Sequence, residues 1–380
     1  MKKNIGSIVL VLILCMSVAG IALADNNIVD SMDFVGDEVN LSLEEAIEVM
    51  MNENPTLKDS ELSIEEATVD YDQGKKSLRA LDKVYGDKSE DSLKYLENIK
   101  LLKLTTEFGL ASAERNYDVT LEKLKAEVEE AYYSLLQAQK LEEINKANLE
   151  ISTDLHEKTE KKFELGLIAK QEVINSELSL INAENDYKTA MDNVKRAKMA
   201  LNIELGYDIM GEVKLTDELM YEEFELESIA GAISQGLENR NEIKYVEYIY
   251  ELAETNMAIV EKKEPSITFN YRSQVVNLAK AEKSLADTKK NIEMEIRSNY
   301  LDVMQKYEEI KAGEKSVELA EESLRLSQLS YDVGMSVLTD VQNAQTALMQ
   351  AKMGLSQAIL DYNIAVLSFE DSIGVGRTTM

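Results

Sequence analysis

Residues 330–348 read SYDVGMSVLTDVQNAQTAL, and residues 162–180 read KFELGLIAKQEVINSELSL. In each stretch a helical pattern of apolar residues halts at a glycine, Gly334 or Gly166, and resumes within a few positions. Glycine enters a left-handed C-terminal cap without the steric cost of a Cβ, so these two glycines predict points at which a helix stops and reverses. They lie 168 residues apart, and the same offset carries Glu127 to Glu295, Tyr132 to Tyr300, Asn175 to Asn343 and Gly206 to Gly374. A single gap-free offset sustained over roughly eighty residues is an internal duplication.

Further upstream, EAIEVMMNENPTLK (45–58) resembles GAISQGLENRNEIK (231–244) at an offset of 186. The first copy therefore holds eighteen extra residues between the two blocks, somewhere around Arg79 to Leu102. Each copy predicts a medium helix, a variable connector, a very long helix, a tight turn at the glycine and a returning helix. Lys103 to Leu165 contains no proline and only one early glycine, Gly109. About sixty residues at about 1.5 Å each make a rod of roughly 90 Å, too long for a globular core.

The returning helix of the second copy shows how such rods pack. Leu338, Val341, Gln345, Leu348, Lys352 and Leu355 begin a series, spaced alternately by three and four, that continues to Ile373 with only Gln345 and Lys352 polar. That is a heptad seam. Beside it Ala344, Ala351, Ala358 and Ala365 recur every seven residues, matched in the first copy by Ser176, Ala183, Ala190 and Ala197. A line of small residues beside a line of large ones lets one helix meet two neighbours. Helices with two seams close into a sheet or cylinder; an ordinary antiparallel bundle, its alanines filling tight layers, satisfies the same periodicity.

The totals agree with long helices. Two prolines and no tryptophan punctuate 380 residues, of which 44% are apolar and 29% charged. The first 24 residues read as a secretory signal: Lys2 and Lys3, an apolar run from Ile8 to Leu14, and Ala22-Leu23-Ala24 as the cleavage site. An uncleaved anchor is the alternative, for which the apolar run is short. Cys15, the only cysteine, follows Leu14, where lipidation would want a small residue, and its removal leaves no disulfide or thiolate metal site. The chain from Asp25 carries 39 basic and 71 acidic residues, a net charge of −32, which disfavours nucleic acid as a partner. This excess of carboxylates keeps the protein soluble or lines a cation-favouring passage. The expected organisation is a signal peptide (1–24), an exported linker (25–40), a first helical repeat (41–206) with its tip near 166, a connector (207–230), a second repeat (231–374) with its tip near 334, and a tail (375–380).

The duplicated FELGLIAKQEVINSE and YDVGMSVLTDVQNAQTAL, with DYNIAVLSFEDSIG (361–374) and the opening block LSLEEAIEVMMNENPTLK (41–58), resemble the TolC-like outer membrane efflux protein family from about Leu41 to Gly374. That resemblance implies an all-α-dominated homotrimer whose doubled hairpins form a twelve-helix tunnel. It implies an exit duct for drugs, small molecules or polypeptides, driven by an inner-membrane or plasma-membrane transporter and reached through a periplasmic-adaptor-type protein that docks on the tips. No cofactor or metal is implied. Asp340 falls where the family places an acidic ring that narrows the closed tunnel; three carboxylates near one axis would attract cations and raise one another's pKa. Asn343 stands where a second acidic ring can occur and Ser336 where a basic gate residue can occur, and the chain departs at both. Glu172 and Asn175 are the first-copy equivalents, read either as gate residues or as polar residues at a helix start. Gly166 and Gly334 mark the tips, and Leu167 and Met335 are candidates for adaptor docking or loose caps on the hairpins.

The resemblance also implies two pairs of membrane strands, of which the sequence offers little. PSITFNYRSQVV (265–276) alternates briefly at Ile267, Phe269 and Tyr271, which predicts one short strand. Val84 to Leu102 is charged, with apolar residues at helical spacing. An incomplete barrel cannot sit in lipid with unpaired backbone groups, so the chain is expected either to act in a single-membrane envelope or to rest its connectors at a membrane surface. A non-conducting coiled-coil protein of the cell envelope uses the same helices. An enzyme is disfavoured, because His156, the one histidine, lies in the polar run TDLHEKTEKK and reads as a solvated side chain.

Overall fold

The structure, a computed structural model, describes residues 34–85, 89–90 and 92–379. The signal segment, Cys15 and the start of the linker lie outside the described residues. The chain begins with strand β1 (Val35–Leu41) and runs through α1 (Leu43–Glu53), α2 (Pro55–Tyr85), the short α3 (Leu93–Tyr95), a π turn at Leu96–Lys100, α4 (Leu101–Glu164) and α5 (Lys170–Leu205). Strand β2 (Gly211–Leu215) opens the crossing to the second copy, α6 (Ile229–Asn239), α7 (Asn241–Lys263), α8 (Phe269–Asp332) and α9 (Leu338–Ile373).

The duplication is visible in these bounds. Helices α4 and α8 are each 64 residues and α5 and α9 each 36, and every boundary repeats at the offset read from the sequence. Helices α1 and α6 are each 11 residues at the larger offset. Helix α2 has 31 residues against 23 in α7, and residues 86–100 replace a link of only 264–268 in the second copy, which accounts for the eighteen extra residues.

Local chemistry sets the breaks. Ser42 caps α1 through a reciprocal pair with Glu45: its Oγ accepts from the Glu45 amide at 3.2 Å, and the Ser42 amide donates to Glu45 Oε2 at 2.8 Å. Pro55 opens α2 at the position where a missing N–H costs nothing. At Gly166 (φ 71°) the glycine amide donates to Phe163 O and the Leu167 amide to Lys162 O; at Gly334 (φ 75°) the corresponding bonds reach Tyr331 O and Ser330 O. Both are Schellman caps, which satisfy the last carbonyls of a helix while turning the chain.

The short strand predicted within 265–276 is absent. Residues 265–268 form a turn, and Thr268 caps α8 by accepting the Tyr271 amide at 3.2 Å. The alternation of Ile267 and Phe269 straddles that turn, and among the described residues no partner strand stands beside it to pair with its backbone groups. Two strands do occur where the sequence reading placed a linker and a connector: β1 and β2 pair in parallel, with Leu41 opposite Leu215.

The long helices lie in a row. Helix α5 packs on α4, α4 on α9 and α9 on α8, while α5 and α8 make no substantial contact with each other. A closed four-helix bundle would bring the outer pair together, so the chain forms the open sheet of helices rather than the bundle. One apolar cluster joins α1, α4, α5 and the strands, a second joins α6 to α9, and a third locks α4 to the α8–α9 hairpin near the tips.

Candidate functional site: the hairpin tips and the inter-hairpin seam

The two Schellman turns project at the same end of the row, where α4 meets α8 and α9. Around them Leu165, Leu167, Val333, Met335 and Val337 are all exposed, Met335 to 84%. Leu167 and Met335 occupy the position just past each glycine, where the cap points a side chain outward. Ser336 is partly covered, and its Oγ has no hydrogen-bond partner among the described residues.

Asp340 is exposed in the first turn of α9, and its Oδ2 accepts from the Val337 amide at 3.3 Å. A carboxylate at this place completes the amide-rich helix end. Glu172, half-buried, holds the matching place in α5. Asn343 lies exposed about one turn beyond Asp340. Asn175 is engaged: its Oδ1 accepts from Gln171 Nε2 at 3.2 Å, and Gln342 Nε2 of α9 reaches its carbonyl at 3.5 Å and Ser179 Oγ at 2.7 Å. Of these four, Asn175 is thus hydrogen-bonded from the other hairpin of the same chain.

Residues other than the expected gate and docking set do much of the joining. Lys162 Nζ donates to Tyr331 O at 2.9 Å, sits 3.5 Å above the Tyr331 ring and lies 4.0 Å from Asp332. A cation over an aromatic face with a carboxylate nearby is held on three sides. Tyr331 is 4% exposed, and its hydroxyl lies 3.5 Å from Thr159 Oγ1. Lys162 reads in sequence as one more lysine in a polar run; its approach to Tyr331 spans 169 positions and leaves no local signal. His156 also departs from its expected solvated state. Its side chain is 15% exposed, with Nδ1 2.9 Å from the buried Ser176 Oγ across the α4–α5 hairpin, because the small-residue line leaves room for an imidazole there.

Further along the α4–α9 seam, Gln345 is buried and its Nε2 faces Asn148 Oδ1 at 2.8 Å and Ser152 Oγ at 2.7 Å. Near the waist the same seam crowds carboxylates. Burial pushes Glu129 up to about 7, with Asp371, Glu370 and Glu122 adding to the rise and Lys125 opposing it. Glu370 and Asp371 are raised as well, both chiefly by burial.

The outer edges of the row expose apolar side chains that no described part of the chain covers. On α5 these are Ile174, Leu178 and Ile181, 46–57% exposed at spacings of four and three. On α8 they include Leu301, Leu319, Leu326 and Leu329, 48–72% exposed. By the repeat offset Leu319 is the counterpart of Ile151, which packs into the tip cluster between α4 and the second hairpin.

Duplicated helical hairpins laid side by side, with reversing turns at one end and open edges, define the architecture of the chain. Crystal structures of outer membrane channel proteins share it. The outer membrane protein VceC from Vibrio cholerae aligns with a TM-score of 0.69 at 15% identity over 88% of this chain and 97% of its own. A membrane protein from Pseudomonas aeruginosa aligns at 0.68, with 16% identity over 90% and 92% of the two chains. The Campylobacter jejuni CmeC outer membrane channel aligns at 0.66, with 14% identity over 88% and 86%. Residues 267–375 match the family model of outer membrane efflux proteins, a stretch that contains the second-copy tip motif, so the resemblance read from that motif is borne out there. No curated protein sequence is significantly similar to the chain.

Proposed function

We propose that three copies of the chain close edge to edge into a hollow tube that serves as the exit duct of an efflux or secretion system in the cell envelope. The observation that carries this reading is the pair of open edges. Within one chain, α4 of the first repeat packs on α9 of the second. The duplication makes α8 the counterpart of α4 and α5 the counterpart of α9, so the same kind of seam can form again only between chains, α8 of one against α5 of the next. A head-to-tail interface of this kind repeats until a ring closes. Three as the number of copies, a transporter as the driving partner and an adaptor docked at the apolar tips come from the family resemblance.

In the trimer Asp340, Asn343, Glu172 and Asn175 would stand near the axis at the tip end, with Asp340 the residue that favours cations there. Gly166 and Gly334 would shape the tips, and Leu167, Met335 and Ser336 would meet the adaptor. The described residues at the other end do not repeat the strand pairs that the resemblance leads one to expect: both connectors are helix or turn. No described helix is long and apolar enough to cross a membrane. The test is light scattering of the chain from Asp25 onward, joined to electron microscopy of the particles. A mass of three chains with an empty axis supports the duct; a monomer, or an assembly filled along its axis, removes it.

A further inference from the structure

The α7–α8 turn lies at the opposite end of the molecule from the hairpin tips, about 95 Å away along the 64 residues of α8. The two most exposed large apolar side chains in the described structure sit on it, Phe269 at 90% and Ile267 at 85%. Hydrogen bonds brace the turn: Glu264 accepts from Thr268 Oγ1 at 2.8 Å and from Asn270 Nδ2 at 2.7 Å, and the Thr268 amide donates to Pro265 O at 3.1 Å. A braced turn that holds an isoleucine and a phenylalanine together in water marks a surface for an apolar phase.

Charge indicates which phase. The chain carries a net charge of −30, yet residues 265–281 contain no carboxylate. Lys262 and Arg272 flank the apolar pair, both exposed and neither ion-paired among the described residues. Lys263, beside Lys262, pairs with Glu97 of the π turn, which places the start of the first long rod at this same end. Close by in sequence, at the end of α2, Val84 is 59% exposed. We infer that the α7–α8 turn is a lipid-contacting foot, with Ile267 and Phe269 entering the interfacial layer of a bilayer while Lys262 and Arg272 engage anionic headgroups. Glu261 and Glu264 border the turn on its α7 side, and Glu264 is engaged by Thr268 and Asn270; a short apolar projection with free cations on either flank inserts shallowly into such a layer without spanning it. An apolar protein pocket would accept the same projecting pair, and the unpaired cations beside it favour an anionic bilayer instead. The inference goes beyond the duct reading and does not require conduction; in a closed trimer three such turns would share one rim and bind together.

The sequence contains no tryptophan, so Phe269→Trp supplies a unique fluorophore at the turn. The chain from Asp25 carrying this change is mixed with phosphatidylcholine vesicles, with or without about one-third phosphatidylglycerol. The expected result is a blue shift with the vesicles, quenching by lipids brominated on their acyl chains, and stronger binding to the anionic vesicles. In flotation the double variant Ile267→Asp with Phe269→Asp loses vesicle binding about tenfold or more. Lys262→Gln with Arg272→Gln removes the preference for anionic lipid, and Leu62→Asp, an exposed change on α2, leaves binding as it was. The inference is overturned by an emission maximum indifferent to vesicles, by equal loss with Leu62→Asp, or by a blue shift that follows protein concentration without lipid, which would make a second copy the occupant. Ring-shaped particles that ignore vesicles would sink this inference and leave the duct standing.

Discussion

At the scale of single residues, glycine acts in opposite ways at two places. Gly334 has φ 75°, and a Cβ built there meets no atom within 4 Å, so substitution is penalised by backbone conformation alone. Gly334→Ala should lower stability by about 1–2 kcal/mol, whereas Gly109→Ala, inside α4 and equally open, should raise it by about 0.5–1 kcal/mol. Chemical denaturation of the two variants measures both signs. Glu129 sets a pH dependence. Its folded pKa of about 7 lies above the ordinary value of 4.5, so the folded state holds the proton more tightly than the unfolded chain. Its contribution is complete below about 4.5 and is lost as pH rises through about 7. Glu370 and Asp371 act in the same direction. The melting temperature should therefore fall between pH 5 and 7.5, and Glu129→Gln should flatten that fall; an unchanged slope assigns it elsewhere. At the tip, Asp340→Asn should weaken block by divalent cations in single-channel recordings, and unaltered block would remove Asp340 from the gate.

At the scale of elements, the seam between α4 and α9 is crossed towards the tips by a buried polar contact from Gln345. Removing the Gln345 amide strands Asn148 and Ser152, so Gln345→Ala should cost about 1–3 kcal/mol. A double-mutant cycle with Ser152→Ala separates their coupling from the loss of volume. The helices themselves were legible, because heptad spacing and a glycine cap are written within a few turns of chain. The connector at 265–276 was not. Three alternating residues satisfy a strand pattern, but a strand also needs a partner, and the Thr268 cap with its Glu264 brace makes the same residues a turn and a helix start. Strands β1 and β2 escaped notice for the converse reason: their parallel pairing joins segments more than 170 positions apart, and neither is long enough to show its period.

At the scale of the whole molecule, an unclosed row of helices leaves two apolar edges, and closure between chains would bury them. Leu319→Asp combined with Leu326→Asp, both on the exposed α8 edge, should break a trimer into monomers seen by light scattering while circular dichroism keeps its helical signal. Loss of helicity along with the assembly would mean that this edge instead supports the fold of the single chain.

The amino-acid sequence by itself determined the duplication, the rods and the turns at Gly166 and Gly334, since each follows from spacing or steric freedom within a short stretch. Tertiary structure alone decided that α4 pairs with α9 and leaves α5 and α8 open, that Lys162 rests on Tyr331, that His156 turns inward to Ser176, and that the connector at 265–276 is a turn and a helix start. These depend on which of several similar seams meet, and a repeating pattern offers every seam the same local code; only the packing of distant segments, each burying the apolar face the other leaves bare, selects among them.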